Sequence, residues 1–232
     1  MRAPRFATTP MVSEHGIFYM TKKRDPWTVE HITKLKQHLN LTDPLHVAAF
    51  ACLTTAFYGC ARLGEFTTRT LKAFNPTLHV KPLDVRKEVD QGQQHSMVFH
   101  LPRTKALPAG EDVSWAKQYG ETDPDAAFQA HLDANQPPQM GPLFAYTMNR
   151  AKTCHKPLTK AKFLEVMHSA ATRAGLEPLK GHGIHIGSTL EYLLHGIPFD
   201  IMKERQILAP YMQAQSAVHQ DFVHIVMPPL RR

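Results

Sequence analysis

The longest apolar stretch of this chain runs from Leu45 to Ala61 and contains no Lys, Arg, Asp or Glu. A helix with no polar face has no side to turn to water, so this pattern predicts a central helix buried all round. Asp43 followed by Pro44 marks its start. The stretch is short for a membrane span and carries His46, Thr54, Thr55 and Gly59, which favours a protein core. Other segments are amphipathic. Thr28 caps a helix with apolar Val29, Ile32, Leu35 and Leu39. Asp123-Pro124 opens another through Phe128 and Leu132. Thr159 opens a third through Phe163, Val166, Met167 and Ala170, stopped by Gly175. A glycine-punctuated helix follows His182 and closes at Gly196. Further helices are expected from Pro198 onward and from about Ala217 to Val226.

Between the second helix and Asp123 the apolar period changes to two. Leu83 to Val89 and Ser96 to Leu101 read as strands around the turn Asp90-Gln91-Gly92-Gln93, with Met97, Phe99 and Leu101 on one face. Pro108-Ala109-Gly110 then precedes a short third strand at Asp112 to Trp115. The predicted fold class is α+β, mainly α: a helical domain carrying a small three-stranded antiparallel β-meander. Residues 1–25 lack periodicity and end in Lys22-Lys23-Arg24, so they read as a flexible leader, and 26–228 as one domain.

Composition narrows the function classes. The hydrophobic share of 43% and charged share of 20% are those of a soluble globular protein. The formal charge of +7 and a pI near 9.4 favour a polyanionic partner such as nucleic acid. The three cysteines lack metal-ligand spacing, and Cys52 and Cys60 read as buried helix residues in a reducing compartment. Met1 to Phe6 is basic with no long apolar run behind it, so an intracellular, non-secreted protein is expected.

Candidate chemistry lies at three places. Arg62 follows the uncharged helix, with Glu65 three residues on to hold its guanidinium. Arg103 and Lys105 fall in the connection between the last two strands. His182 and His185 lie on one face of the glycine-rich helix. Arginine, hairpin lysine and histidine in this order are the parts of a site that handles a DNA phosphate. Plainer readings stand beside this one. Arg62 with Glu65 is also an ordinary helix-end ion pair, Lys105 a solvated turn lysine, and the histidines a cap, a core pair or half of a zinc site. Lys156, Lys160, Lys162, Arg173 and Lys180 form either a DNA-facing stripe or a solvated helix face.

The ordered set Ala61-Arg62-Leu63-Gly64-Glu65, the meander with Thr104-Lys105, and Gly181-His182-Gly183-Ile184 followed by Gly187, Thr189, Leu193-Leu194 and Gly196 resembles the catalytic domain of the tyrosine recombinases, or phage integrases. The transposon-encoded eukaryotic branch is the nearer likeness, over about residues 26–228. The resemblance implies attack of a tyrosine on a DNA phosphodiester, giving a 3′-phosphotyrosyl link without metal or other cofactor. Two arginines hold the non-bridging oxygens, a histidine handles protons, and a hairpin lysine protonates the departing 5′ oxygen. By this likeness Arg62 is the first arginine, Lys105 the lysine and His182 the first histidine.

Two departures follow. His185 stands where the second arginine is expected, and imidazole offers no planar fork. The segment of the relatives that bears the nucleophile is expected to be deleted near 203–207. Tyr211 is the only tyrosine after Gly196, and it resembles a downstream tyrosine of the relatives rather than their nucleophile. Relatives also carry an N-terminal core-binding domain, for which 1–25 is too short. The chain is thus expected to be a degenerate recombinase of DNA integration or recombination. The alternative is a non-catalytic DNA-binding relic of a mobile element. Double-stranded DNA is the expected partner, contacted also by Arg103, Lys160 and Lys180, with self-association on DNA and a nuclear location. No membrane, small-molecule substrate, metal or other cofactor is expected.

Overall fold

The computed structural model describes residues 26–89, 95–104, 107–149, 151–177 and 180–196, together with two short strands, β1 (Val12–Ser13) and β2 (Gly16–Ile17), paired antiparallel. Helix α1 (Val29–Gln37) starts at Thr28, whose hydroxyl accepts the His31 amide at 3.2 Å, and buries Ile32 and Leu35 toward α5 (Lys160–Arg173). Glu30 in its first turn and Lys34 and Lys36 in its last complement the helix dipole.

Helix α2 (Pro44–Tyr58) is the axis of the molecule. Asp43 caps it through the Leu45 amide at 2.8 Å, and every residue from Val47 to Tyr58 is buried. A helix buried on all sides needs partners on all sides. Helix α4 (Pro124–Asn135), α5, α6 (His182–Leu194) and the sheet supply them. The helix ends earlier than the apolar run. Cys60 takes φ 49°, the left-handed turn that usually belongs to glycine, and the Ala61 amide reaches back to the Ala56 carbonyl at 2.9 Å. Cys60 is therefore not a helix residue, and it is half-buried rather than fully enclosed.

A separate four-residue helix, α3 (Leu63–Phe66), follows, with Arg62 at its N-cap. Next come a 3₁₀ turn at Pro82–Asp84 and the meander β3 (Val85–Val89), β4 (His95–Leu101) and β5 (Glu111–Ala116), in that spatial order. Phe99 pairs with Val85 and Val113 and lies at the centre of an aromatic cluster. Its ring centroid is 5.8 Å from Phe66, 5.7 Å from Trp115 and 5.4 Å from Phe128, so one side chain ties α3, the sheet and α4 together. The pair β6 (Tyr146–Thr147) and β7 (His155–Lys156) leads into α5. The expected mainly α, α+β core with its antiparallel meander is what the chain forms.

Under β6 lies a buried polar knot. His131, wholly buried, donates from Nε2 to the Leu143 carbonyl at 2.9 Å and accepts at Nδ1 from the Asn135 amide at 3.0 Å. The same amide donates to the Pro44 carbonyl at 3.0 Å, and the Asn135 side-chain oxygen accepts the Thr147 amide at 2.9 Å. Burial holds the His131 imidazole down to about 4, against its ordinary 6.5. Acid therefore protonates this residue in the unfolded chain first. Its contribution to stability is full above pH 6.5 and is lost as the pH falls toward 4, by roughly 3 kcal/mol. Denaturant titrations between pH 7 and pH 4 should show this loss. It should be absent in His131→Gln, which keeps a donor and an acceptor but cannot titrate.

Candidate functional site

The site begins where α2 stops. A helix leaves its last four carbonyls without partners inside the helix, and here they are buried. The Gly59 amide takes the Thr55 carbonyl at 2.9 Å, Ala61 takes Ala56 at 2.9 Å, and Cys60 takes Phe57 at 3.1 Å. The remainder comes from α6. The Ser188 hydroxyl donates to the Phe57 carbonyl, and the Tyr192 hydroxyl donates to the Tyr58 carbonyl at 3.0 Å. Cys60 Sγ lies 2.7 Å from Ser188 Oγ. The cysteine at the left-handed position thus meets α6, which a glycine there could not do.

This pinning brings the start of α6 onto α3. A Cβ at Gly181 would stand 2.8 Å from Leu63 Cδ2 and 3.6 Å from Leu164 Cδ2, so only a glycine lets the three elements meet without a shift. Arg62 precedes Leu63. Lys180 and His182 flank Gly181. Lys160 lies one helical turn before Leu164 on α5. The far end of α3 is tied to the same helix, because the Lys160 amide donates to the Thr68 carbonyl at 3.0 Å and the Thr68 amide to the Leu158 carbonyl at 3.1 Å. Four of the expected residues, Arg62, Lys160, Lys180 and His182, are therefore gathered round one contact between α3, α5 and α6. Lys160, Lys180 and His182 are exposed.

Arg62 is held from behind. Its amide donates to Glu65 Oε2 at 2.8 Å and its Nη1 to Glu65 Oε1 at 3.3 Å. The arginine side chain is 38% exposed and the glutamate 11%, so the guanidinium faces outward from a carboxylate set in the protein. Burial pushes the Glu65 carboxyl above the usual carboxylate range, the Arg62 amide and charge oppose this, and Glu111 at the start of β5 adds to it. Phe66 meets Phe99 edge-on, which puts β4 beside α3, and the hairpin from β4 to β5 follows it. In that hairpin Thr104 accepts the Leu107 amide on its hydroxyl at 3.0 Å and donates its own amide to the Leu107 carbonyl at 3.0 Å. Gly110 follows at φ 87°, where a Cβ would stand 2.6 Å from the Leu101 carbonyl oxygen. Arg103 is exposed on the approach to this turn.

His185 lies one turn into α6, half-buried, with its Nδ1 enclosed. Lys105, Tyr211 and the joint at 203–207 lie outside the described residues. Among the described residues no three His, Cys, Asp or Glu side chains form a group able to hold a metal ion. Among them, too, no helix is long and apolar enough to cross a membrane.

The sequence reading missed Trp27. It is 1% exposed, donates its amide to the Gly183 carbonyl and its indole Nε1 to the Lys180 carbonyl, each at 3.2 Å, and lies against Gly187. Its place just before the N-cap of α1, where a hydrophobic staple sits, was a usable signal.

A solved chain described as an Flpe–Holliday junction complex superposes on this structure with a TM-score of 0.55 at 13% identity, covering 86% of this chain and 47% of that one. The two chains share a fold. A second, described as an FLP recombinase–Holliday junction complex, matches with a TM-score of 0.48 at 14% identity over 72% of this chain and 39% of that one. The chain spans less than half the length of either. No protein-family model matches it, and no curated protein matches it in sequence.

Tyr192→Phe removes one donor from the buried end of α2. The expected cost is about 1–3 kcal/mol, measured by denaturant unfolding, with the secondary structure unchanged in circular dichroism.

Proposed function

We propose that this chain is a recombinase-like DNA-binding core that grips the phosphates of double-stranded DNA at the corner of α3, α5 and α6, and that its strand-transfer chemistry is impaired. The observation that carries this reading is the gathering of Arg62, Lys160, Lys180 and His182 round the Leu63–Leu164–Gly181 contact, on a fold shared with a recombinase chain. Phosphate recognition needs donors that reach outward from a fixed base. Arg62 backed by Glu65 supplies one in fork geometry. Lysines supply point charges around it, and the net charge of +7 supplies long-range attraction. In this reading Lys105 is the proton donor to a leaving 5′ oxygen, Arg103 adds a phosphate contact, and Tyr211 is the sole remaining candidate nucleophile. DNA carries the chain in the nucleus and gathers copies of it there.

Impairment is argued from His185. A transition state with charge on two non-bridging oxygens calls for two arginine forks. An imidazole with one nitrogen enclosed supplies at most a single donor toward that charge. With the nucleophile segment deleted near 203–207, the chain is a binding module derived from a mobile element rather than a working strand transferase.

Gel-shift titrations with duplex and four-way-junction DNA should show sequence-independent binding that weakens steeply as salt rises. Arg62→Ala and Lys160→Ala should each lower affinity alike on unrelated sequences and reduce the slope against log salt by about 1. No complex at micromolar protein in low salt would sink the DNA-binding reading. On a nicked suicide duplex no covalent adduct should form, with or without magnesium. An adduct lost in Tyr211→Phe would overturn the claim of impairment and make Tyr211 the nucleophile.

A further inference from the structure

Helix α6 starts without a side-chain cap, because its N-cap is Gly181. Its first turn nevertheless has to present His182 and Lys180 in a fixed direction. Trp27 braces that turn through both of its N–H groups. The two carbonyls it binds, Lys180 and Gly183, bracket His182 in sequence, each at 3.2 Å. The Gly183 amide also donates to the Lys180 carbonyl at 2.8 Å, so the indole joins a bond already closing that turn. One turn on, Gly187 meets the Trp27 backbone so closely that a Cβ would stand 1.9 Å from its carbonyl oxygen. The tryptophan therefore reaches from Lys180, just before α6, to Gly187 in its second turn. Its own place is set by Thr28, which begins α1, and by Leu35, Met167 and Ala171, with which the ring lines a narrow hollow.

We propose that Trp27 is a positioning residue of the phosphate-binding corner, acting through Lys180 and His182 and touching no DNA itself. This rests on the phosphate-binding reading above. An indole N–H fixed at one end and a backbone wedged at the other determine both the tilt and the rotation of the first turn of α6. A ring without the N–H holds the tilt and releases the rotation, which changes where His182 points while leaving the core filled.

Trp27→Phe keeps the apolar body and removes the donor, and Gly187→Ala pushes the strap away from its other end. Three measurements on the full chain separate the outcomes. In carbon–proton spectra of the histidine rings, Trp27→Phe should move the His182 resonances and leave those of His131 in place. In low-salt gel shifts it should weaken duplex binding by about threefold to tenfold, the worth of one hydrogen bond. In the double variant Trp27→Phe with His182→Ala, the two losses should fall short of their product, since both act at one place. Gly187→Ala should move the same His182 resonances, so the inference survives a Trp27→Phe chain that folds poorly. Unchanged His182 resonances in both variants, or losses that multiply in full, would overturn it. If the unaltered chain binds no DNA, the phosphate-binding reading fails, while the His182 resonances still decide whether Trp27 sets the start of α6.

Discussion

A buried helix end with four carbonyls to satisfy is the constraint from which the rest of this structure follows. Helix α2 has no polar face and terminates inside the protein. The chain answers with a left-handed turn at Cys60 and with two hydroxyls from a helix more than 120 residues later, Ser188 and Tyr192. A lost partner in that setting costs far more than the net worth of an ordinary hydrogen bond. Helix α6 is held at the end of α2, and its glycine-rich start is carried against α3.

The short helix α3 is the second consequence. It is too short to be stable alone, and each of its ends is fixed from outside. Glu65 binds the Arg62 amide at one end, Thr68 bonds to the start of α5 at the other, and Phe66 packs on Phe99 and Phe144 between them. Its four residues thereby join the sheet, α5 and α6. The charged groups lie on the rim of this hub and the aromatic rings beneath it. An arginine placed so has its carboxylate partner enclosed behind it and its free donors outside, as an anion-binding group requires. The same arrangement gives weak stability in itself, since a half-exposed ion pair contributes little. The stability comes from the rings and the capped helix end.

The uncharged run from Leu45, the caps at Thr28, Asp43, Asp123 and Thr159, and the alternation of Met97, Phe99 and Leu101 are local signals, and each produced the expected element. The three strands were placed within two residues of their ends. Helix α3 was not foreseen, because four residues carry no period and their helix depends on contacts made from four directions. Cys60 reads as a helix residue because a left-handed turn without glycine leaves no mark in composition. The place of Trp27 before the N-cap of α1 marks it as an apolar staple, but its hydrogen-bond partners, Lys180 and Gly183, lie more than 150 residues away and have no local sign.

Composition and pattern therefore determined the class of fold, the central helix and the identity of Arg62, Lys160, Lys180 and His182 as residues of interest, because helix caps, strand alternation and charge are properties of neighbours along the chain. Only the tertiary structure decided that four basic or imidazole groups from three separated segments share one corner. It did so through two things that have no local signature. One is the close approach that glycines 181 and 187 permit, and the other is the need of a buried helix end to find its hydrogen-bond partners wherever the chain can supply them.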